Sequence, residues 1–280
     1  MKLERSYTSN HEIDADGTVR FACSRDCGEW PWLALGPHHP VALQAQNFWA
    51  SVGAANALGS MSEGQWSALT WTEWQCGAPR VGDAARGTYR REVSGDSDNF
   101  VIALFDEADR EIVTMRGRGV VFRNRNFEQW REEAKRKAAA SAPAKAPPAP
   151  SEMASRAALG LGQGEHPLIA PSTDNGGENG EDFIGIVTPE NAMPPNNRVL
   201  SGSGDHVNTV HMVEAARQAL CLATGDPRPA IGGGEMTLKR YVELGTPFTL
   251  SLSHGEAGET RFTLDQLGRE CAAMVLRQTP

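Results

Sequence analysis

The sequence predicts an α+β fold made of two similar halves, each with one helix followed by antiparallel strands. Residues 41–61 and 205–225 have helical patterns, and a run of strand-like segments follows each of them. Gly82 and Gly245 lie at comparable places, each between one predicted strand and the next. A buried helix inside a curved antiparallel sheet explains why neither helix has a broad polar face.

The strands are predicted where β-branched and aromatic residues alternate with polar ones between turn residues. In the first half, the predicted strands cover 19–24, 68–76, 85–93, 100–107 and 111–123, with turns at VGD and DEADRE. In the second half, they cover 182–188, 234–244, 247–255, 259–264 and 270–278. The layout repeats, although few residues are identical between the halves.

The composition changes near residue 131, where a charged helical stretch gives way to an Ala/Pro-rich one and then to the polar PSTDNGGENGED. Most of this stretch offers little to pack, although RAALGLG and HPLIAP contain apolar residues and could lie on a surface. The sequence therefore predicts an N-terminal domain at 1–135, a linker at 136–182 and a C-terminal domain at 183–280.

Composition excludes several classes of partner. The net charge of -8 disfavours nucleic acid and anionic membranes, since both attract basic surfaces. No run approaches the roughly 20 apolar residues of a membrane span, and the first residues lack the apolar core of a signal peptide. We expect a cytoplasmic protein with no nucleic-acid and no membrane partner.

No cofactor and no metal is expected. The five cysteines include no CxxC pair, so they are predicted to be reduced thiols rather than zinc ligands. The glycines of GLGQG and IGGGE do not lie between a strand and a helix as a nucleotide-binding loop requires.

The second helix carries a polar stripe on otherwise apolar surroundings. His211, Glu214 and Gln218 fall within about 60° of one another around the helix. A carboxyl group among aliphatic side chains needs a partner or a chemical role. Either burial raises the pKa of Glu214 so that it acts as an acid, or Glu214 pairs with Arg217 or His211 one turn away.

The same helix resembles a known family. Glu-Ala-Ala-Arg-Gln at 214–218, preceded by Asp205-His206-Val207, is similar to the central-helix signature of A-factor-type γ-butyrolactone synthases and, more distantly, to the Glu-x-x-x-Gln of β-hydroxyacyl-carrier-protein dehydratases. The resemblance implies two hotdog domains, each a curved antiparallel sheet wrapped around one central helix, packed as a double hotdog. It also implies an acyl thioester substrate on acyl carrier protein or CoA.

The chain departs from the dehydratase pattern before the second helix. No histidine stands near Leu200, where the resemblance places one, and Asn208-Thr209 replaces the usual Pro-Gly. The first half instead offers His38 and His39 just ahead of its helix, as in polyketide-synthase dehydratases, without their HxxxGxxxxP pattern. We therefore predict His38 or His39 as the base and Glu214, assisted by Gln218, as the acid.

Other side chains are predicted to bind substrate: His206, His211, Arg217 and Trp49. His206 could cap the second helix or line a tunnel, and Asp205 is a good N-cap by residue type. Trp49 belongs to a tryptophan-rich region that either packs the core or walls an acyl tunnel.

Three functional hypotheses follow from the resemblance. The first is dehydratase-like removal of water from a β-hydroxyacyl chain in polyketide or fatty-acid-type biosynthesis. The second is acyl transfer of γ-butyrolactone-synthase type, or thioester hydrolysis. The third is a non-catalytic subunit that binds an acyl chain. Hotdog sheets also pair, either between the two halves or between copies in a homo-oligomer.

Overall fold

The computed structural model describes residues 6–60, 66–94, 97–122, 126–140, 149–172, 181–188, 206–256 and 258–279. The chain divides into two compact units, Met1–Phe127 and Glu128–Pro280. Each unit contains one buried helix and six neighbouring strands of antiparallel sheet, and the second unit has an additional two-stranded antiparallel pair.

The first unit contains one long helix and an antiparallel sheet. Its elements are β1 (Thr8–Ile13), β2 (Val19–Cys23), a 3-10 turn (Pro31–Leu35), α1 (Pro40–Ala57), β3 (Trp66–Cys76), β4 (Arg86–Ser94), β5 (Ser97–Phe105) and β6 (Glu111–Phe122). From the strand that follows α1, the order in the sheet is β3-β6-β5-β4-β2-β1, and every pair in it is antiparallel.

The second unit repeats this layout. Its elements are α2 (Phe127–Ala140), β7 (Ile169–Pro171), β8 (Glu181–Gly185), β9 (His206–Val207), α3 (Thr209–Thr224), β10 (Ile231–Leu238), β11 (Val242–Glu243), β12 (Phe248–His254), β13 (Glu259–Gln266) and β14 (Arg269–Gln278). From the strand that follows α3, the order is β10-β14-β13-β12-β8-β7. The strands of both units thus have the same order relative to their helix, and the predicted repeat of layout is observed.

The local sequence explains where α1 begins and how closely it packs. Pro40 occupies the first position, where a missing amide hydrogen costs nothing, and His39 is the N-cap. Most of the helix is buried. A Cβ atom at Gly53 would stand 2.2 Å from the Thr8 Oγ1 atom, so the absence of a side chain at this position lets β1 approach the helix.

The helix α3, which corresponds to the second of the two buried helices predicted from the sequence, is buried on all sides over residues 210–221. Asn208 is its N-cap, and the left-handed Gly225, with a φ of 70°, ends it. A helix that is apolar almost all round is stable only inside a core. The burial predicted for this helix is therefore observed.

The segment predicted as a linker, 136–182, differs from a simple connector at both its start and its centre. The helix α2 continues to Ala140, and β7 pairs with β8 in the second unit. Leu159 and Leu168 are fully buried. The average composition of this stretch is polar, but its isolated apolar residues, such as Leu159 and Leu168, are buried and contribute to a core.

None of the helices in the described part of the chain combines the length and the apolar character needed to span a bilayer. The five cysteines are free thiols. Within the same described residues, no group of three or more His, Cys, Asp or Glu side chains is arranged to hold a metal ion.

Candidate functional site

Glu214 on α3 lies in a fully buried ion pair. Its carboxylate accepts hydrogen bonds from Arg217 Nε at 2.8 Å and Arg217 Nη2 at 2.7 Å, and from Gln218 Nε2 at 2.9 Å. The side chain of Glu214 has no exposed surface. Of the two alternatives open from the sequence, pairing with Arg217 is the geometry that the structure contains.

Glu214, Arg217 and Gln218 form a polar cluster, and Arg217 and Gln218 also bind the backbone of residues 159–168. Arg217 Nη2 donates to the Leu159 carbonyl at 3.1 Å. Gln218 accepts from the Leu168 amide at 2.8 Å and donates to the His166 carbonyl at 3.0 Å. These contacts connect α3 to the centre of the predicted linker, so Glu214, Arg217 and Gln218 hold that segment in the second unit.

The charge of the pair is consistent with this role. Burial lowers the pKa of Arg217, but the charge and hydrogen bonds of Glu214, together with Cys221 and Glu165, raise it, and the net pKa is well above the ordinary arginine value. Each charge of a buried pair needs its partner, because one left alone pays its desolvation cost without compensation.

His211, predicted to bind substrate, lies in the first turn of α3. Its Nδ1 atom accepts a hydrogen bond from the Asn208 amide at 3.4 Å, so this nitrogen carries no proton. The side chain is 4% exposed. Burial, and to a smaller degree the charge of His206, lowers the pKa of His211 to about 4.

Because His211 is neutral in the fold, acid should destabilise the protein. An unfolded imidazole takes up a proton below about pH 6.5, whereas the folded one does so only near pH 4. The free energy of unfolding should fall by about 3 kcal/mol across this window through His211 alone. Urea unfolding between pH 7 and pH 4 measures it, with His211→Gln as the control. An equal slope in the variant would contradict the assignment.

His206, also predicted to bind substrate, lies on β9 and not at the helix start. Its ring packs edge-on against Tyr241 at 4.8 Å between centroids. Tyr241 also lies under the guanidinium of Arg131, at 4.2 Å, and Arg131 makes a two-point ion pair with Glu243. Asn208, and not His206, is the N-cap of α3. Asp205, the predicted cap, and Leu200 lie outside the described residues.

The first unit carries the two predicted bases, and their hydrogen bonds distinguish them. His38 Nε2 lies 3.0 Å from the Ile112 carbonyl, which can only accept, so Nε2 carries the proton and a neutral His38 has its lone pair on Nδ1. His39 Nδ1 accepts from the Val41 amide at 3.3 Å, so its lone pair caps α1. Of the two predicted bases, His38 is thus the one whose Nδ1 lone pair does not cap the helix.

Trp49 belongs to a buried aromatic cluster. Its ring lies 4.9 Å from Trp30, Trp30 lies 6.1 Å from Trp32, and Trp32 lies 4.9 Å from Tyr7. Gln46 donates to the Tyr7 hydroxyl at 3.2 Å. In the described residues this cluster packs α1 into the core, which is the packing interpretation of the tryptophans. Its role in substrate binding stays a prediction.

Sequence reasoning missed one polar side chain of the first unit, Gln44 on α1, and it considered Trp74 on β3 only as one of the tryptophans that pack the core or wall a tunnel. Both are buried, at 1% and 0% exposure. Gln44 and Asn47 are three residues apart on α1, the spacing that revealed the stripe on α3, so helical periodicity could have drawn attention to Gln44.

Comparison with known proteins identifies the fold. No protein-family model matches the chain, and no curated protein is significantly similar to it. Among solved structures, an acyl-ACP thioesterase from Bacteroides thetaiotaomicron matches with a TM-score of 0.56 at 12% identity, over 94% of this chain and 97% of that one.

Two further structures agree. The bifunctional dehydratase-cyclase domain in ambruticin biosynthesis matches with a TM-score of 0.52 at 13% identity, over 100% of this chain and 98% of that one. The 12:0-ACP thioesterase from Umbellularia californica matches with a TM-score of 0.50 at 8% identity, over 86% and 89%. The likeness to γ-butyrolactone synthases stays a sequence resemblance. The matches extend over both units, and the predicted fold of two hotdog domains is confirmed.

Proposed function

We propose that this protein is an enzyme that acts on acyl thioesters and removes water from a β-hydroxyacyl chain. The observation that carries the proposal is the geometry of His38, a half-buried imidazole whose Nε2–H donates to the Ile112 carbonyl while Nδ1 keeps its lone pair. Burial lowers the pKa of His38, which keeps the ring neutral and able to accept a proton near pH 7.

Dehydration removes one proton from the substrate and returns one to the leaving hydroxide, and His38 alone can carry that proton. Nδ1 takes the proton from the carbon next to the thioester carbonyl, and the electron pair of that C–H bond forms the double bond. The bond from the β-carbon to the hydroxyl oxygen breaks, and the imidazolium returns its proton to the departing hydroxide as water. The product is an α,β-unsaturated thioester.

The start of α1 can stabilise the charge that develops on the thioester oxygen. His38 precedes the N-cap His39 directly, so the base stands next to the positive end of the helix dipole. Pro40 has no amide hydrogen and the Val41 amide already donates to His39 Nδ1, so this stabilisation comes from the helix dipole rather than from these two amides.

The predicted acid role of Glu214, assisted by Gln218, has less support. Donation from Glu214 requires a protonated carboxyl group, whereas its contacts with Arg217 stabilise the ionised form. We infer that the pair stabilises the second unit instead.

The proposal is tested by incubating the purified protein with 3-hydroxyoctanoyl thioesters of CoA and of an acyl carrier protein. Mass spectrometry should detect loss of one water from the acyl chain, and the use of either carrier identifies the partner. Boiled protein is the control. An acyl chain that leaves the incubation unchanged, on both carriers, would contradict the proposal.

Thioester hydrolysis is the second candidate, and a specific observation favours it. A hydrolase needs a base to activate water but no separate carboxylic acid, which agrees with a Glu214 committed to Arg217. Two of the similar structures are acyl-ACP thioesterases. The same incubation distinguishes the two reactions, because hydrolysis releases a free acid that still carries its hydroxyl group.

A further inference from the structure

The first unit contains a side-chain amide whose two polar atoms lack partners. Among the described residues, neither Oε1 nor Nε2 of Gln44 has a hydrogen-bond partner, although the residue is only 1% exposed. The indole N–H of Trp74, at 0% exposure, is also without one in this part of the chain. Burial of such groups without partners costs about 1–3 kcal/mol each, so folded proteins rarely retain them.

Two contacts fix how α1 lies against β3. At the start of the helix, His38 Nε2 and the Gly77 amide bind the same Ile112 carbonyl, so His38 stands at the end of β3. Further along, Asn47 Nδ2 donates to Thr72 Oγ1 at 3.0 Å. The helix therefore runs opposite to the strand between these contacts.

Gln44 and Trp74 both fall between these two contacts. Gln44 lies three residues before Asn47 and shares its side of the helix. Trp74 lies two residues after Thr72 in regular pairing with β6, so it shares the sheet face of Thr72. The polar atoms without partners are thus located between α1 and β3, towards the end that carries His38.

Three other buried tryptophans also have indole N–H groups without hydrogen-bond partners among the described residues, but aromatic rings lie close to them. Trp30, Trp32 and Trp49 lie edge-on or tilted against neighbouring aromatic rings, which are weak acceptors. Gln44 needs a donor as well as an acceptor, which an aromatic ring does not supply.

We propose that Gln44 and Trp74 bind the β-hydroxyl group of the acyl substrate beside His38. A hydroxyl both donates and accepts, as Gln44 requires: its O–H donates to Gln44 Oε1, and its oxygen accepts from Gln44 Nε2 or the Trp74 indole. This inference rests on the proposed function and makes it more specific, since the site selects hydroxylated chains over plain ones. A site built to bind a hydroxyl rejects the analogue that lacks it, because its own polar groups then stay unpaired.

The test uses two probes that do not react. They are the pantetheine amides of 3-hydroxyoctanoic and octanoic acid, in which an amide replaces the thioester and makes the adjacent C–H too weakly acidic for elimination. Isothermal titration should show that the wild-type protein binds the hydroxylated amide about 10- to 100-fold more tightly. Gln44→Leu should abolish this preference, and Trp74→Phe, which keeps an aromatic ring and loses the N–H, should reduce it.

The thermal midpoint separates a ligand site from a structural contact. Without ligand, Gln44→Leu should unfold at the same or a higher temperature than wild type, because it removes polar atoms that lack partners. Gln75→Ala, on the neighbouring exposed position of β3, is the matched control and should keep the preference.

The preference for the hydroxylated amide decides the inference. Wild-type protein that binds both amides equally, or Gln44→Leu that keeps the wild-type preference, overturns it; the second result would mean that a buried water satisfies Gln44. Binding does not depend on turnover. If the thioester is not dehydrated but the hydroxylated amide is preferred, the hydroxyl site is supported and the proposed reaction is not. If dehydration occurs but Gln44→Leu keeps the preference, the proposed reaction is supported and the hydroxyl site is not.

Discussion

Glu214→Gln should lower the free energy of unfolding by about 3–5 kcal/mol, because it leaves the Arg217 guanidinium buried without a counter-charge. The glutamine also provides a weaker acceptor for Gln218, so the contacts to the segment around Leu168 loosen. We expect the second unit to unfold at lower urea concentration than in the wild type.

Urea titration followed by circular dichroism measures this loss. The double variant Glu214→Leu, Arg217→Met removes both charges and should recover much of the stability, since an apolar pair replaces the ion pair. Glu133→Gln breaks the exposed pair with Lys137 and should change the midpoint little. A wild-type midpoint in Glu214→Gln would show that the carboxyl group is not the partner that Arg217 requires.

His38→Asn should reduce kcat/KM for dehydration by about 10²- to 10⁴-fold, the usual contribution of a positioned base. His39→Asn is the informative comparison, because asparagine is a good N-cap and can replace His39 in that role. It should retain most of the activity. Equal losses in the two variants would contradict the assignment of His38 as the base.

The pH profile gives a second measurement of the same base. Burial lowers the pKa of His38, so the acidic limb of kcat/KM should have its midpoint below the ordinary value of 6.5. The reaction gains rate as the pH rises through this midpoint, because only the neutral ring accepts a proton. A limb above 6.5 would point to a different base.

The local pattern was enough to predict both buried helices and most strands. Small residues and all-round apolarity identified α1 and α3, and alternation identified β2, β3, β5 and β12 among others. It missed β1, whose TSNHEI has little apolar alternation, and β7, which is three residues long. Short strands are held by their neighbours in the sheet, so their own sequence carries a weak signal.

The site depended more on tertiary structure. The sequence alone predicted two halves of the same layout, a polar stripe on the helix of the second half and two histidines ahead of the helix of the first, and the hotdog fold was implied by the family resemblance. Only tertiary packing decided that Glu214 pairs with Arg217, that His38 donates to Ile112, and that Asn47 on α1 donates to Thr72 on β3. Periodicity fixes which side of an element a residue occupies, whereas its partner is fixed by how distant segments pack, which no local pattern encodes.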